Sequence, residues 1–376
     1  MGSLGCGQYE VYFKARGGDT FTCRARDLTS VSFSRVLNEV SEASITIAMS
    51  GQDEECCACL GSINPWEHEI AIYRDGTEVW CGPIVNGDID LDTMVASFSA
   101  KDLFAWTDFR WIELYNMDFE LNDDTELTEV WDWILTHAYN QEPWNMDWQL
   151  GRTGIPLSEK TYPGYFDPDR WGGSYPNAGD ELRTLVKSGV DFTVIRRTLI
   201  GGDIEINPPG QLPVLLDKHW AKLPKITISG GTMATEVGVA GGNGGYGGWD
   251  DDQMWIERPY DKFRIRYGLL QKFFIEASLD DEDTTQLPNA ITQEAFNLRE
   301  LKKQPFVYVT GGQLASDAPV DFDTLIPGAV VKLALTQTCR VIQSNYRLTN
   351  VNVTYDGTNE GVALQLTPEG ATALRT

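Results

Sequence analysis

No stretch of this sequence approaches the roughly 20 consecutive apolar residues that a helix needs to span a bilayer. A helical membrane span is therefore not expected. Met1 to Tyr9 lack the basic flank and apolar stretch of a secretory signal, which predicts a chain made and first used in a cytoplasm. Basic residues are scarce: 30 Lys and Arg stand against 55 Asp and Glu, a net charge of -25. That deficit argues against direct nucleic-acid binding, where Lys and Arg neutralise phosphates. Of two accounts of the charge, the first is preferred on charge alone. One is plain solubility; the other is a surface that must not adhere to DNA, such as the wall of a DNA channel.

Histidine is sparse as well, with His68, His137 and His219 alone. His-Glu-x-x-His and Gly-x-Ser-x-Gly do not occur. The glycine-rich run at 241–248 lacks the Lys and Ser or Thr of a phosphate-binding loop and reads as an irregular, flexible loop. No catalytic motif is present, so the expectation is a protein that is not an enzyme. Surplus carboxylates keep a carbohydrate hydrolase as a rival, although glycoside hydrolysis needs two acids at a defined separation across a sugar.

The cysteines number seven: Cys6, Cys23, Cys56, Cys57, Cys59, Cys81 and Cys339. An odd count does not imply a closed disulfide framework within one chain. Cys56, Cys57, Cys59 and Cys81, with His68 nearby, supply enough ligands for zinc or an iron–sulfur cluster. Their spacing departs from that of a zinc finger, and on a strand Cys56 and Cys57 would point to opposite sides. Metal, disulfide, and buried or free thiols are the three readings, with buried or free thiols favoured. Asp88, Asp90 and Asp92 alternate, as ligands on one strand face would, yet they match no EF-hand loop. Solvated acidic surface is the simpler reading.

What is abundant is hydrophobic and aromatic: 42% and 11% of the residues, including 12 Trp. Such a chain can bury a real core, and its length suits two to four domains of roughly 100–150 residues each. Over residues 8–100 the apolar residues alternate. Tyr9, Val11 and Phe13 form one such series, and Ala43, Ile45 and Ile47 another. A period of two predicts half-buried strands, and Asp75-Gly76 predicts a hairpin turn between them. Leu127, Val130, Trp131, Ile134, Leu135 and Ala138 recur at helical spacing, with Asp123 or Asp124 as cap. Helices are also predicted over 180–188 and 288–302. Strands return after Pro305, over 306–309, 330–335, 341–344, 348–353 and 362–366. No long-period self-repeat is visible.

The loop from Asn140 to Gly179 is rich in Trp, Tyr, Pro and Gly. Its Trp144, Trp148, Tyr165 and Trp171 suit either sugar stacking or an interface, and interface or core is preferred. The predicted organisation is mainly β with α+β insertions. It has four parts: an N-terminal β-barrel at 1–105, an α/β region with the aromatic loop at 106–195, a mixed β region with the glycine-rich loop and a helix at 196–304, and a C-terminal β domain at 305–376.

Ordered short motifs carry a resemblance. They are Ser32-Phe33-Ser34-Arg35-Val36-Leu37-Asn38, Ala43-Ser44-Ile45-Thr46-Ile47, Ile63-Asn64-Pro65-Trp66-Glu67-His68-Glu69, Arg74-Asp75-Gly76, Val79-Trp80-Cys81-Gly82-Pro83-Ile84 and Ser97-Phe98-Ser99-Ala100-Lys101-Asp102-Leu103. Residues 182–194, Leu325-Ile326-Pro327-Gly328-Ala329 and Arg347-Leu348 continue the series. Together they resemble minor tail proteins of long-tailed, especially actinobacterial, phages, which are similar to tail-associated and baseplate hub proteins. The resemblance implies two tube-forming β-barrel-like domains per chain and a homotrimer that forms a pseudo-sixfold ring at the virion tail tip. It also implies a distal tail protein, a tape-measure protein and other minor tail proteins as partners. DNA would pass through the lumen without specific binding. The chain looks like a bare hub, without cofactor or metal. A distal tail ring, which would be a hexamer, is the alternative.

Overall fold

This computed structural model describes residues 4–17, 20–49, 54–112, 130, 131, 133–136, 149–152, 177–187, 191–202, 212–241, 254–276, 287–336 and 341–368. The protein is mainly β. Its N-terminal strands are β1 (Tyr9–Ala15), β2 (Phe21–Arg24), β3 (Leu28–Val36), β4 (Glu42–Ala48), β5 (His68–Arg74), β6 (Thr77–Asp90) and β7 (Val95–Lys101). Helix α1 (Glu54–Ser62) joins β4 to β5. The middle of the chain carries β8 (Gln149–Arg152), α2 (Ala178–Lys187), β9 (Asp191–Ile195) and β10 (Thr198–Gly202). Then come β11 (Leu212–Leu216), β12 (Trp220–Lys222), β13 (Lys225–Ser229), β14 (Glu236–Gly241), β15 (Met254–Glu257), α3 (Lys262–Tyr267), β16 (Gln271–Glu276) and α4 (Leu287–Lys302). The last strands are β17 (Phe306–Leu314), β18 (Val330–Leu335), β19 (Ile342–Tyr355) and β20 (Glu360–Pro368).

The alternation read in the sequence dictates the main sheet. Val31, Phe33, Ile45, Ile47, Phe98, Val351, Val353, Leu364 and Leu366 point to one face and are buried, while their neighbours point out. Fourteen strands join in one sheet in the order β12-β17-β20-β19-β3-β4-β7-β6-β5-β1-β2, with β13 on β17 and β11 on β18, which pairs β19. Its apolar face forms one continuous core drawn from both ends of the chain.

Two strands make this continuity. β6 and β19 are each 14 residues long, too long for one partner set. The first half of β6 pairs with β5 and its second half with β7. The first half of β19 pairs with β18, and its second half, Asn350–Tyr355, pairs with β3. Sequence periodicity predicted two strands at 341–344 and 348–353; they are one. The hairpin at Asp75-Gly76 is present, with both residues at positive φ (50° and 79°), the backbone that Gly tolerates best.

Two smaller units hang from this sheet. In the first, β8, β10 and β9 form a three-stranded sheet. Its core combines Val130, Trp131, Ile134 and Leu135 with Leu182 and Leu185 of α2, and Phe104 stacks on Phe192 at 4.2 Å. Residues 130, 131 and 133–136 are helical and α2 spans 178–187, as the periodicity predicted. In the second, α4 packs Ile291, Ala295 and Leu298 on Val237 and Val239 of the sheet β15-β14-β16.

The first unit is tied to the main sheet by polar contacts. Asn38, at φ 64°, donates its backbone N–H to the Phe192 carbonyl at 2.8 Å and accepts the Phe192 N–H on its Oδ1 at 2.7 Å. Arg347 of β19 donates to Asp191 of β9 at 2.8 Å.

Candidate functional site: a polar sheet face and the seam beneath it

The outward face of the main sheet is built from small polar side chains in cross-strand ladders. Gly361, Thr354, Ser32, Ser44, Ser99 and Asn86 face one another in turn across β20, β19, β3, β4, β7 and β6. Asn352 lies opposite Ser34, and Thr46, Ser97 and Asp88 form a further row. Asn86 donates to the Ser99 hydroxyl at 3.3 Å. Ser32, Ser34, Ser44, Asn86, Ser99, Asn352 and Thr354 line a groove of about 550 Å³, together with Glu42 and Lys101. A short hydroxyl or amide offers hydrogen bonds without a long arm to grip a passing polymer. The arrangement is a smooth, wettable surface rather than a recognition pocket.

Beneath the groove, buried charges lock the two halves of the sheet together. Arg74 of β5 donates to both oxygens of Glu360 on β20, at 2.6 and 2.9 Å. The Tyr9 hydroxyl and the Gly5 N–H (2.7 Å) also donate to that carboxylate. Burial alone would raise the Glu360 pKa, but these four donors outweigh it and hold the carboxyl below its ordinary range. Tyr9 is pushed above its usual phenol range by burial and by the Glu360 charge.

Arg35 of β3 is fully buried and donates to the carbonyls of Leu325 (3.2 Å), Val79 (3.3 Å) and Phe322 (3.4 Å). Burial lowers its guanidinium pKa to about 10. Arg35 and Arg74 both lie against the Phe322 ring, 4.9 and 4.6 Å from its centroid.

The residues singled out in the sequence fall elsewhere. Residues 54–62 form helix α1 rather than a strand, so Cys56 and Cys57 do not alternate across a sheet. The segment lacks strong apolar alternation, and its short Cys-Cys-Ala-Cys-Leu run suits a helix equally well. Cys59 forms a disulfide with Cys23 of β2 (Cα–Cα 6.3 Å), Cys57 is exposed, and Cys81 is buried in β6. Burial pushes the Cys81 thiol far above its usual range. Among the described residues no group of three or more His, Cys, Asp or Glu stands close enough to hold a metal.

Asp88 and Asp90 lie on β6, while Asp92 sits in the turn after it. The Asp90 carboxylate accepts from the Asp92 and Thr93 N–H groups, a turn-capping role. His68 and His219 each use Nδ1 to accept a nearby backbone N–H, from Asn64 (3.2 Å) and Leu216 (3.1 Å). His137, the aromatic candidates Trp144, Trp148, Tyr165 and Trp171, the cap candidates Asp123 and Asp124, and the glycine-rich run beyond Gly241 lie outside the described residues.

The polar ladders escaped sequence reasoning although their signal is present. Ser32 and Ser34, Ser44 and Thr46, Ser97 and Ser99, and Asn350, Asn352 and Thr354 recur at every second position. That pattern marks the outward face of a strand, but the sequence does not reveal that the four strands adjoin.

The overall architecture is shared with tail proteins of phages and prophages. A 43 kDa tail protein of prophage MuSo2 from Shewanella oneidensis superposes with a TM-score of 0.62 at 11% identity, over 97% of this chain and 99% of that one. A tail protein from Neisseria meningitidis gives 0.62 at 14% identity, covering 97% and 98% of the two chains. Prophage tail protein gp18 from Listeria monocytogenes gives 0.56 at 12% identity, covering 95% and 94%. This chain has their fold. No protein-family model matches the sequence, and no curated protein matches it.

Proposed function

We propose that this chain is a non-enzymatic structural hub of a phage tail tip, a homotrimer that continues or caps the tail tube. The observation that carries the reading is the polar ladder of Thr354, Ser32, Ser44, Ser99 and Asn86 across five adjoining strands, backed by the apolar core of the same sheet. A chain of net charge -25 with such a face suits a lumen through which DNA slides, since like charges repel. The fold shared with tail proteins and the ordered motifs of minor tail proteins support the same reading.

The work of such a hub is mechanical. It anchors the end of the tape-measure protein, meets a distal tail protein and other minor tail proteins, and opens for DNA exit. Assembly in the host cytoplasm and residence at the virion tail tip follow from this role.

Electron microscopy of intact tails tests the reading through the symmetry of the chain at the tip. Three copies in a ring support the hub, and six would make it a distal tail ring instead. A stable monomer absent from phage particles would overturn both. Release of sugars from cell-wall polysaccharide by the purified chain would instead favour a hydrolase.

A further inference from the structure

The main sheet contains a repeat that the sequence does not show. Strands β4, β5, β6 and β7 pair in the order β4-β7-β6-β5, and β17, β18, β19 and β20 pair as β17-β20-β19-β18. The match extends to an irregularity. The β6–β7 ladder shifts register between Ile84 and Asn86, and the β19–β20 ladder shifts between Leu348 and Asn350. Ile84 is thus equivalent to Leu348, Asn86 to Asn350, and Ile89 to Val353.

On the other side, β3 covers β4 as β13 covers β17. Phe33 faces Ala43, which faces Ala100; Ile226 faces Val309, which faces Leu366. Phe33 is therefore equivalent to Ile226.

Within the chain, one junction joins the halves: Val353 faces Phe33, with Asn350–Tyr355 antiparallel to Val31–Val36. The equivalent junction is left open at both ends. Among the described residues, the second half of β6 pairs with β7 alone and β13 with β17 alone. Where the closed junction is buried, the open edges are exposed. Ile89 is 41% exposed, Leu91 75% and Ile228 52%. Unpaired strand edges bearing exposed apolar side chains are templates for pairing with another chain.

We propose that the β6 edge of one copy pairs antiparallel with the β13 edge of a second copy of this chain, in the register of the internal β19–β3 junction. That register sets Ile89 opposite Ile226, Asp90 opposite Lys225, Asp88 opposite Thr227 and Asn86 opposite Ser229. Ile89 and Ile226 then meet on the core face. The acid and the lysine meet on the groove face, where Asp88 and Thr227 extend the polar ladders. Each copy offers one edge of each kind, so the contact is head-to-tail and closes into a ring when the rotation permits. The inference rests on the tube reading above and adds to it which strands meet, and how.

Cysteine cross-linking of the full chain tests it, with the exposed Cys6 and Cys57 replaced by serine. On oxidation at high protein concentration, Asp88→Cys/Thr227→Cys is expected to give a covalent ladder ending at a closed ring. Either single variant, and the out-of-register pair Asp88→Cys/Lys222→Cys, should stay at the level of the parent. As a second measurement, Lys225→Glu sets like charges opposite each other and should weaken association about three- to tenfold, while Lys225→Arg preserves it. A wild-type ring seen by native mass spectrometry, without cross-linking of the matched pair, would overturn the strand pairing and leave the tube reading standing. A wild-type chain that is monomeric at high concentration and absent from tails would overturn both.

Discussion

Arg74 and Glu360 meet as a bidentate ion pair across the two halves of the sheet, the guanidinium from β5 and the carboxylate from β20. The two residues stand 286 positions apart in the chain. A buried pair of this kind adds little over an apolar pair, but breaking one side strands the other charge. Glu360→Ala leaves Arg74 buried, with Asp75 its nearest acid at 3.1 Å on the surface. The expected loss is about 3–5 kcal/mol of unfolding free energy, measured by denaturant titration. A loss below about 1 kcal/mol would mean that the seam is held by apolar packing alone.

Within the N-terminal half of the sheet, β6 and β7 depend on one close backbone approach. A Cβ on Gly82 would lie 1.9 Å from the Lys101 carbonyl oxygen and 2.8 Å from the Asp102 Cα, both of them backbone atoms. Neither can move without shifting β7 against β6. Gly82→Ala should therefore cost about 3 kcal/mol or more, whereas Gly76→Ala, with open space around it, should cost only the penalty of positive φ, about 1 kcal/mol. Thermal melts of the two variants side by side give the comparison.

Much of this architecture was legible in the sequence because strands with one buried face declare themselves by alternation. Phe33, Ile45 and Phe98 fall where a period of two places them, and α2 and α4 lie within a few residues of their predicted spans. What could not be read was which strands adjoin. Nothing local in Val31–Val36 indicates that its partner is Asn350–Tyr355, since pairing is set by a fold-wide register. The repeat was hidden for a related reason. Topology needs an apolar residue at each inward position but not the same one, so Phe33 and Ile226 occupy equivalent places although the two residues differ. Helix α1 was missed because its nine residues carry a weak apolar stripe, and the Cys23–Cys59 bond was missed because disulfide connectivity is a long-range fact.

The Cys23–Cys59 disulfide ties β2 to α1 across 36 positions of sequence. Loop closure of that length stabilises the folded state by about 4 kcal/mol through the unfolded chain. Cys23→Ser should lower stability by about that amount under oxidising conditions, and excess reductant should erase the difference from the parent. Equal melting temperatures without reductant would show that the bond does not form in the purified protein. Peptide mapping checks the pairing directly, with Cys57 expected as a free thiol.

Asp102 gives the sheet an unusual pH response. Its carboxyl is buried and caps the turn at Leu103–Phe109, accepting the Ser41 N–H at 2.7 Å and the Phe104 N–H at 3.0 Å. Burial outweighs those two donors and raises its pKa from 3.8 to about 7. A carboxyl whose folded pKa is raised binds its proton more tightly when folded. Its contribution is therefore complete below about pH 4 and declines as pH rises through about 7. The Glu360 carboxyl is held low and acts in the opposite sense, losing its contribution on acidification. Asp102→Asn removes the first effect and leaves the second. The variant loses one acceptor at every pH, so it should be less stable than the parent at pH 5. The gap should narrow or reverse by pH 8, a change of up to about 3 kcal/mol between pH 5 and pH 8. Unfolding curves at pH 5, 6, 7 and 8 measure that gap, and a gap that does not vary with pH would show that Asp102 titrates as an ordinary carboxylate.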